Sequence, residues 1–244
     1  MKRKRDIKTQ RIKKYKARLN LDGSRMQQGK HFEESYSPVV KWHSIRTVLA
    51  LSTINKWHTK QIDYVHAFPQ APIDRELYMK IPKGFDLGEG IDQDKYVLQI
   101  HRNIYGKKDS GRIWNQYLTK KLIEEVGFTQ SKFDECVFYK GTTIYLLYID
   151  DSILAGPNVE EIQQIISDIR KAKLQITEEG DIQDFLGVNI EQRPNGSIEL
   201  TQPHLINQIL KDLKMEKDNV ITKNTPAASS QILRRHEESN KFDD

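Results

Sequence analysis

The chain has 244 residues, 37% of them hydrophobic and 30% charged, so it can bury a core as one large domain or two small ones. Its formal net charge of +5 is a mild basic excess, which alone is weak evidence for a polyanionic partner, and its single cysteine excludes an internal disulfide. No signal peptide opens the sequence and no apolar stretch reaches the roughly 18 residues of a membrane span, so we expect a soluble, intracellular protein that is not secreted.

Positive charge is concentrated at the amino end of the chain. Residues 1–18 carry ten Lys or Arg against one Asp. Such a segment is typical of an arm or strand that binds phosphates. It is also typical of a solvated or disordered terminus, and MKRKR resembles a nuclear localisation signal, so the composition leaves all three interpretations open.

The first half of the chain predicts two helices with three strands between them. Residues 44–57 have helical apolar spacing and Ser44 as a candidate cap. Residues 111–127 repeat this spacing and end at Gly127, a typical stop for a helix. The strands are predicted over residues 60–65, 76–81 and 95–101.

The second half predicts a meander of strands, then helices. Strands are expected over residues 135–140, 143–149 and 152–155, and helices over residues 158–172 and 203–213. Asn195-Gly196 lies between two strand-like segments and predicts a hairpin turn. Hairpins outnumber parallel crossovers, which indicates an α+β fold. The polar segment after residue 216 is expected to be loose.

Two adjacent acids, Asp150 and Asp151, interrupt the apolar segment 143–156. Because they stand between two short apolar segments, we predict that the pair occupies a tight turn joining two antiparallel strands. A polar hairpin tip would account for them without any function. However, aliphatic flanks leave two like charges poorly hydrated, and a divalent metal such as Mg²⁺ is the economical neutraliser.

A third carboxylate supports a metal site. Asp63 ends a short strand with alternating apolar residues, and alone it would be interpreted as a cap or turn residue. Together with the pair at 150–151, it supplies what a two-metal phosphoryl-transfer site needs, provided that the strands are neighbours.

The segment Tyr148-Ile149-Asp150-Asp151 matches the Y-x-D-D box of reverse transcriptases, and the whole chain resembles the reverse transcriptase of copia-type (Pseudoviridae-like) LTR retrotransposons. A lone box would be a weak signal, but further segments match in the family's order. They are YKARL (15–19), YSPVVKWHSIR (36–46), QIDYVHAF (61–68), ELYMKIPKGF (76–85), IYGKKDSGRIWNQYL (104–118), FLGVNI (185–190) and LTQPHLINQIL (200–210).

The resemblance implies a right-hand polymerase palm with fingers insertions and the start of a thumb, an antiparallel sheet packed on helices. This domain would span residues 15–215, after a basic stub at 1–14 and before a polar tail at 216–244. The implied activity is RNA-directed DNA polymerisation, in which two Mg²⁺ ions (Mn²⁺ as a possible substitute) support transfer from a dNTP to a primer 3′-hydroxyl. The implied partners are an RNA or DNA template, the primer strand, the dNTP and other segments of a retroelement polyprotein. No membrane is involved, and the compartment would be a cytoplasmic retroelement particle or the nucleus.

The resemblance also assigns roles to individual residues. Asp63, Asp150 and Asp151 would be catalytic metal ligands, and the backbone carbonyl of Tyr64 would add another. Phe68 would be the aromatic gate against a ribose 2′-hydroxyl, although it is also compatible with an ordinary core position. The other nucleotide-binding residues would be Lys16, Arg18, Gly106 and Lys108. The primer end would be held by Tyr148, Phe185, Leu186 and Gly187. Lys173 is a candidate for protonating the leaving pyrophosphate.

Departures from the family pattern favour a second hypothesis. Asp109 stands where the family usually has Gln, and Gly111 stands where it often has Pro. We expect an acid at Asp109 to lie near template phosphates and to weaken binding. Asp109-Ser110-Gly111 also imitates an aspartic protease motif, but Gly-Lys-Lys precedes it instead of an apolar strand.

The family's N-terminal fingers segment is expected to be reduced to a stub, and RNase H is expected to be absent. The alternative function is therefore an inactive retroelement fragment that keeps the fold and nucleic-acid binding. The third hypothesis is a nuclease that uses the same acids.

Overall fold

An antiparallel sheet of six strands forms the centre of the protein. The structure is a computed structural model that describes residues 2–5, 12–16, 18–193 and 195–215. The chain divides into two compact units, residues 1–200 and residues 201–244. The loose tail predicted after residue 216 lies outside the described residues.

Five helices and thirteen strands make up the described part of the chain. The helices are α1 (Trp42–Ile54), α2 (Ala67–Gln70), α3 (Ser110–Lys121), α4 (Val159–Lys171) and α5 (Pro203–Asp212). The strands are β1 (Lys2–Arg5), β2 (Ile12–Lys16), β3 (His58–Tyr64), β4 (Pro72–Lys80), β5 (Val97–Arg102), β6 (Thr129–Gln130), β7 (Val137–Lys140), β8 (Thr143–Tyr148), β9 (Asp151–Gly156), β10 (Ile176–Gly180), β11 (Asp184–Phe185), β12 (Val188–Gln192) and β13 (Ile198–Thr201).

The strands form one central sheet and three small ones. The central sheet has the order β10-β3-β9-β8-β7-β6, and each neighbouring pair is antiparallel. Two hairpins, β1–β2 and β4–β5, stand as separate two-stranded sheets, and β11-β12-β13 form a third small sheet. The mixture of helices with antiparallel sheets confirms the predicted α+β class.

Helices α1, α3 and α4 share one hydrophobic core with the central sheet. The apolar stripe of α4 (Ile162, Ile165, Ile166 and Ile169) is almost fully buried, as its spacing predicts. Each such side chain contributes about 1.5–3 kcal/mol by leaving water. A second, smaller core of Met26, Phe32, Leu77 and Ile100 lies between the β4–β5 hairpin and the segment before α1.

The ends of the helices follow from local chemistry in most cases. Asn158 caps α4 by accepting a hydrogen bond from the backbone N–H of Glu161 at 3.0 Å. Gly127, at φ 84°, ends a π-helical turn that continues α3, so the predicted stop is confirmed. The hairpin predicted at Asn195-Gly196 is also present: it joins β12 to β13.

The predicted start of α1 is wrong by two residues. The helix begins at Trp42, and the Ser44 hydroxyl donates to the carboxylate of Asp134 at 2.6 Å instead of capping the helix. The same carboxylate accepts a hydrogen bond from the backbone N–H of Lys41 at 3.0 Å. Asp134, which lies far away in the sequence, therefore satisfies a backbone donor at the start of the helix. Among the residues described, no helix is long and apolar enough to cross a membrane.

Candidate active site

The two adjacent acids lie at the tip of the β8–β9 hairpin. The register pairs Tyr148 with Asp151, so the two-residue loop consists of Ile149 and Asp150, and Asp151 is already the first residue of β9. The prediction that both acids occupy the turn is therefore wrong by one residue. The reason lies in the strands, because the observed register sets the fully buried pairs Leu146–Ile153 and Tyr145–Leu154 opposite each other.

Asp63 is brought beside this tip by the neighbouring strand. The β3–β9 register places Asp63 directly opposite Asp151. Side chains directly opposite in an antiparallel pair share a face, with Cβ atoms about 4.5–5.5 Å apart. The backbone N–H of Tyr64 then donates to the carbonyl oxygen of Asp150 at 2.9 Å. The structure thus places the three predicted acidic residues at the same end of two neighbouring strands in the interior of the central sheet.

The charge at this end of the strands is strongly acidic. Burial is the largest cause that raises the pKa of Asp151, and the charges of Asp150, Asp63, Asp184 and Glu179 add to it in that order, so that together they raise it to about 6. Asp184 and Glu179 are acids that the sequence interpretation missed, and each comes from a different strand. A site where carboxylates repel one another is stabilised by a bound cation.

The donor set suits a hard divalent cation, since carboxylate and carbonyl oxygens are the ligands that Mg²⁺ prefers. Within the described residues, however, no three His, Cys, Asp or Glu side chains are already clustered as a metal site. The backbone register brings the acidic residues next to one another, and rotation of their side chains would be needed to direct the oxygens at one ion.

Arg18, Tyr105 and Phe68 form a stack beside the acids. The Arg18 guanidinium lies 5.0 Å from the centroid of the Tyr105 ring, and the Phe68 ring lies 5.0 Å from it. Burial raises the pKa of Tyr105, the Arg18 charge lowers it, and the charges of Asp150 and Asp63 raise it again. Tyr105 is therefore close enough to the Arg18 guanidinium and to the carboxylates of Asp150 and Asp63 to be affected by their charges.

Tyr105 is a residue of the candidate site that the sequence interpretation missed. Its signal was available, because an aromatic residue directly precedes Gly106 in the IYGKK segment. The positions of Arg18 and Phe68 around it bring two predicted nucleotide-binding residues together. The side chain of Lys16, a third, lies outside the described residues, although its backbone belongs to β2.

Gly106 and Lys108 hold the segment that precedes α1. Gly106 has φ 87°, and a Cβ at this position would lie 2.1 Å from the carbonyl oxygen of Leu21. The Lys108 ammonium donates to the carbonyl oxygen of Met26 at 3.2 Å and lies 5.3 Å from the Phe32 ring centroid. These contacts give both residues a structural role, and their role in nucleotide binding stays a prediction.

Asp109 does not lie where the sequence interpretation puts it. Its side chain is buried and accepts a hydrogen bond from the equally buried ammonium of Lys107 at 2.5 Å. The Lys107 ammonium also lies 3.7 Å from the carboxylate of Asp74. The expectation that Asp109 faces template phosphates is wrong, because a buried cation neutralises it inside the protein.

Loss of this buried cation is expected to destabilise the protein. Lys107→Met would leave Asp109 buried without its partner and lower the free energy of unfolding by about 3–5 kcal/mol. Asp109→Asn is the matched variant, and we expect a smaller loss because Lys107 keeps Asp74 and an amide oxygen. Urea denaturation measures both variants. Losses below about 1 kcal/mol in both variants would show that the pair is screened by water, and equal large losses would show that Asp74 does not sustain Lys107.

The predicted primer-holding residues meet at a second hairpin. Leu186 and Gly187 form its two-residue loop with φ 54° and 77°, since Phe185 pairs with Val188. The buried Phe185 ring lies 6.5 Å from the Tyr148 ring in an edge-on arrangement. Lys173 lies just after α4 with φ 60°. The roles of these residues stay predictions.

Acids that two adjacent strands and their turn bring together are compatible with the divalent cations that phosphoryl transfer uses. The family described as "Reverse transcriptase (RNA-dependent DNA polymerase)" matches residues 1–229, and the chain belongs to this family.

Similar proteins agree with this assignment. The chain is 31% identical over 231 residues to the retrovirus-related Pol polyprotein from transposon RE2 of Arabidopsis thaliana, covering 92% of this chain and 15% of the relative. It is 30% identical over 224 residues to the Pol polyprotein from transposon TNT 1-94 of Nicotiana tabacum, covering 89% and 16%. It is 26% identical over 183 residues to the transposon Ty1-DR1 Gag-Pol polyprotein of Saccharomyces cerevisiae, covering 72% and 10%. The predicted resemblance to copia-type reverse transcriptases is confirmed, and the chain spans about one sixth or less of these relatives.

Proposed function

We propose that this chain is the polymerase domain of a copia-type retrotransposon, which extends a primer 3′-hydroxyl with dNTPs on an RNA or DNA template. The observation that carries the proposal is the register that sets Asp63 opposite Asp151, directly beside Asp150 in the turn. Membership of the reverse transcriptase family supports the same reaction.

The parts of a right-hand polymerase would be distributed as follows. The central sheet with α1, α3 and α4 would be the palm. The β1–β2 and β4–β5 hairpins, with the loop around Gly106, would belong to the fingers. Helix α5 would be the start of the thumb.

The metal ligands would be the three carboxylates and the backbone carbonyl of Tyr64, with Mg²⁺ as the physiological ion and Mn²⁺ as a substitute. In such a site, bound Mg²⁺ would activate the primer 3′-hydroxyl and stabilise negative charge on the triphosphate of the dNTP. Asp63 on β3, Asp150 in the β8–β9 turn and Asp151 on β9 would hold the ions in place for this chemistry.

The nucleotide would lie beside the Arg18–Tyr105–Phe68 stack. Arg18 is exposed and would pair with triphosphate oxygens, as would Lys16 from β2. Phe68 would close the space next to the sugar. The Tyr148 ring and the hairpin at Leu186-Gly187 would hold the primer end. Other segments of a Pol polyprotein would be partners, as the names of the relatives suggest.

Primer extension tests the proposal directly. The chain is incubated with a labelled oligo(dT) primer on poly(rA), dTTP and Mg²⁺, and the products are separated by length. We expect a ladder of longer products that disappears when EDTA is added. A primer that is bound but not lengthened would contradict polymerisation and support the inactive fragment. A shortened primer would support the nuclease.

A further inference from the structure

The turn that carries Asp150 is held in a strained conformation. Ile149, the first loop residue, has φ 56°, in the left-handed region. A β-branched side chain is crowded there, at a cost of about 1–2 kcal/mol. Such a residue keeps this conformation only when its surroundings impose it.

A buried tryptophan supplies that restraint. Trp114 lies on α3 with 1% of its surface exposed, and its indole N–H donates to the carbonyl oxygen of Ile149 at 2.6 Å. The Trp114 ring also packs edge-on against the Tyr64 ring, with centroids 5.2 Å apart. The indole has only one donor, and it is directed at the peptide group that joins Ile149 to Asp150.

The backbone of Asp150 is therefore fixed on both sides. Trp114 holds the carbonyl of the peptide bond before it, and the backbone N–H of Tyr64 holds its own carbonyl oxygen at 2.9 Å. Only the side-chain torsions of Asp150 remain free. A ligand group whose backbone is fixed loses less entropy when it binds.

We propose that Trp114 is a positioning residue for a divalent cation at Asp150: its indole N–H holds the strained turn so that the Asp150 carboxylate faces Asp63 and Asp151. The effect of Trp114 on catalysis rests on the proposed function, whereas its effect on cation binding does not. Trp114 touches neither cation nor substrate. Loss of a group that orients a metal ligand typically costs about 10–100-fold in metal affinity.

The test distinguishes the effect of the indole N–H hydrogen bond from the effect of the volume of the ring. Replacement of Trp114 by β-(3-benzothienyl)alanine keeps the shape and substitutes sulfur for the N–H, and Trp114→Phe is the variant made from ordinary amino acids. Leu118→Ala is the matched control, because it opens a cavity in the same helix at a fully buried site. It is expected to cost about 2–5 kcal/mol of stability without touching the turn.

Mn²⁺ binding to the full chain without nucleic acid is measured by electron paramagnetic resonance, and unfolding by thermal melting. We expect both Trp114 variants to bind Mn²⁺ about 10-fold more weakly, and Leu118→Ala to bind as the native chain does. Native Mn²⁺ affinity in both Trp114 variants, an equal loss in Leu118→Ala, or no binding by the native chain would each overturn the proposal.

Primer extension at varied Mg²⁺ distinguishes this inference from the proposed function. We expect the Mg²⁺ concentration for half-maximal rate to rise about 10-fold in the benzothienyl variant, while the KM for dTTP stays near native. An unchanged Mg²⁺ requirement would overturn the role of Trp114 and leave the polymerase intact. If Mn²⁺ binding by the native chain depends on the Trp114 N–H but the chain extends no primer, the positioning role stands and the proposed function fails.

Discussion

Asp150→Asn is expected to lower the rate of primer extension by about 1,000-fold or more, while the fold and the duplex affinity stay near native. Asn has the shape of Asp but lacks the charge that a divalent cation requires. The lost interaction acts mainly in the transition state, so binding of template and primer in the ground state changes little. Single-turnover extension and duplex titration measure the two quantities separately.

The stability of the Asp150→Asn variant provides a further check. The charge of Asp150 helps to raise the pKa of Asp151, which means that the two carboxylates repel each other in the folded protein. Removing one charge relieves that repulsion, so the metal-free variant should melt at the same temperature as the native chain or higher. A lower melting temperature would indicate that the loss of activity comes from unfolding.

Asp184→Asn is the matched control for charge. Asp184 is exposed on β11 and also raises the pKa of Asp151, but it is not one of the three proposed ligands. We expect its extension rate to stay within about threefold of the native rate. Near-normal extension by Asp150→Asn would remove the metal assignment. Equal losses in the two variants would show that the acidic field, and not ligation, matters.

The sequence predicts the elements of the fold where one local signal decides them. The stripe of four isoleucines in α4 and the stop at Gly127 both depend on neighbours within a few turns of helix. The meeting of Asp63 with the acidic pair was expected only on the condition that their strands are neighbours, and the β3–β9 register meets that condition. Local patterns are sufficient for the stripe and the stop because no distant partner competes with them.

The details of the site depend on distant partners, which the sequence does not reveal. Ile149 is a poor residue for a left-handed turn, and its conformation there is held by hydrogen bonds from Trp114 and Tyr64, which lie on two other elements. The burial of Asp109 likewise depends on Lys107 being enclosed, with Asp74 from another strand beside it. Without these partners, the sequence interpretation shifted the turn by one residue and placed Asp109 near template phosphates.

Phe68 packs against the main core and also lies near the candidate site, so its assignment as a gate stays a prediction. Phe68 lies on the short helix α2, half-buried, and packs against the Tyr105 ring. Tyr105 in turn lies beneath the Arg18 guanidinium and near the charges of Asp150 and Asp63. A nucleotide held between Arg18 and the acids would have its sugar beside this pair of rings.

Phe68→Val is therefore expected to reduce the preference for dTTP over UTP by about 10- to 100-fold, because a smaller side chain leaves space for the 2′-hydroxyl. The ratio of kcat/KM for the two nucleotides, measured on poly(rA) with an oligo(dT) primer, reports this preference. Phe68→Tyr keeps the ring and should retain the native ratio. Since Phe68 is half-buried, a melting curve for each variant shows whether the core is intact. An unchanged ratio in a folded Phe68→Val variant would show that discrimination against ribose lies elsewhere, and Phe68 would then be a packing residue that supports Tyr105.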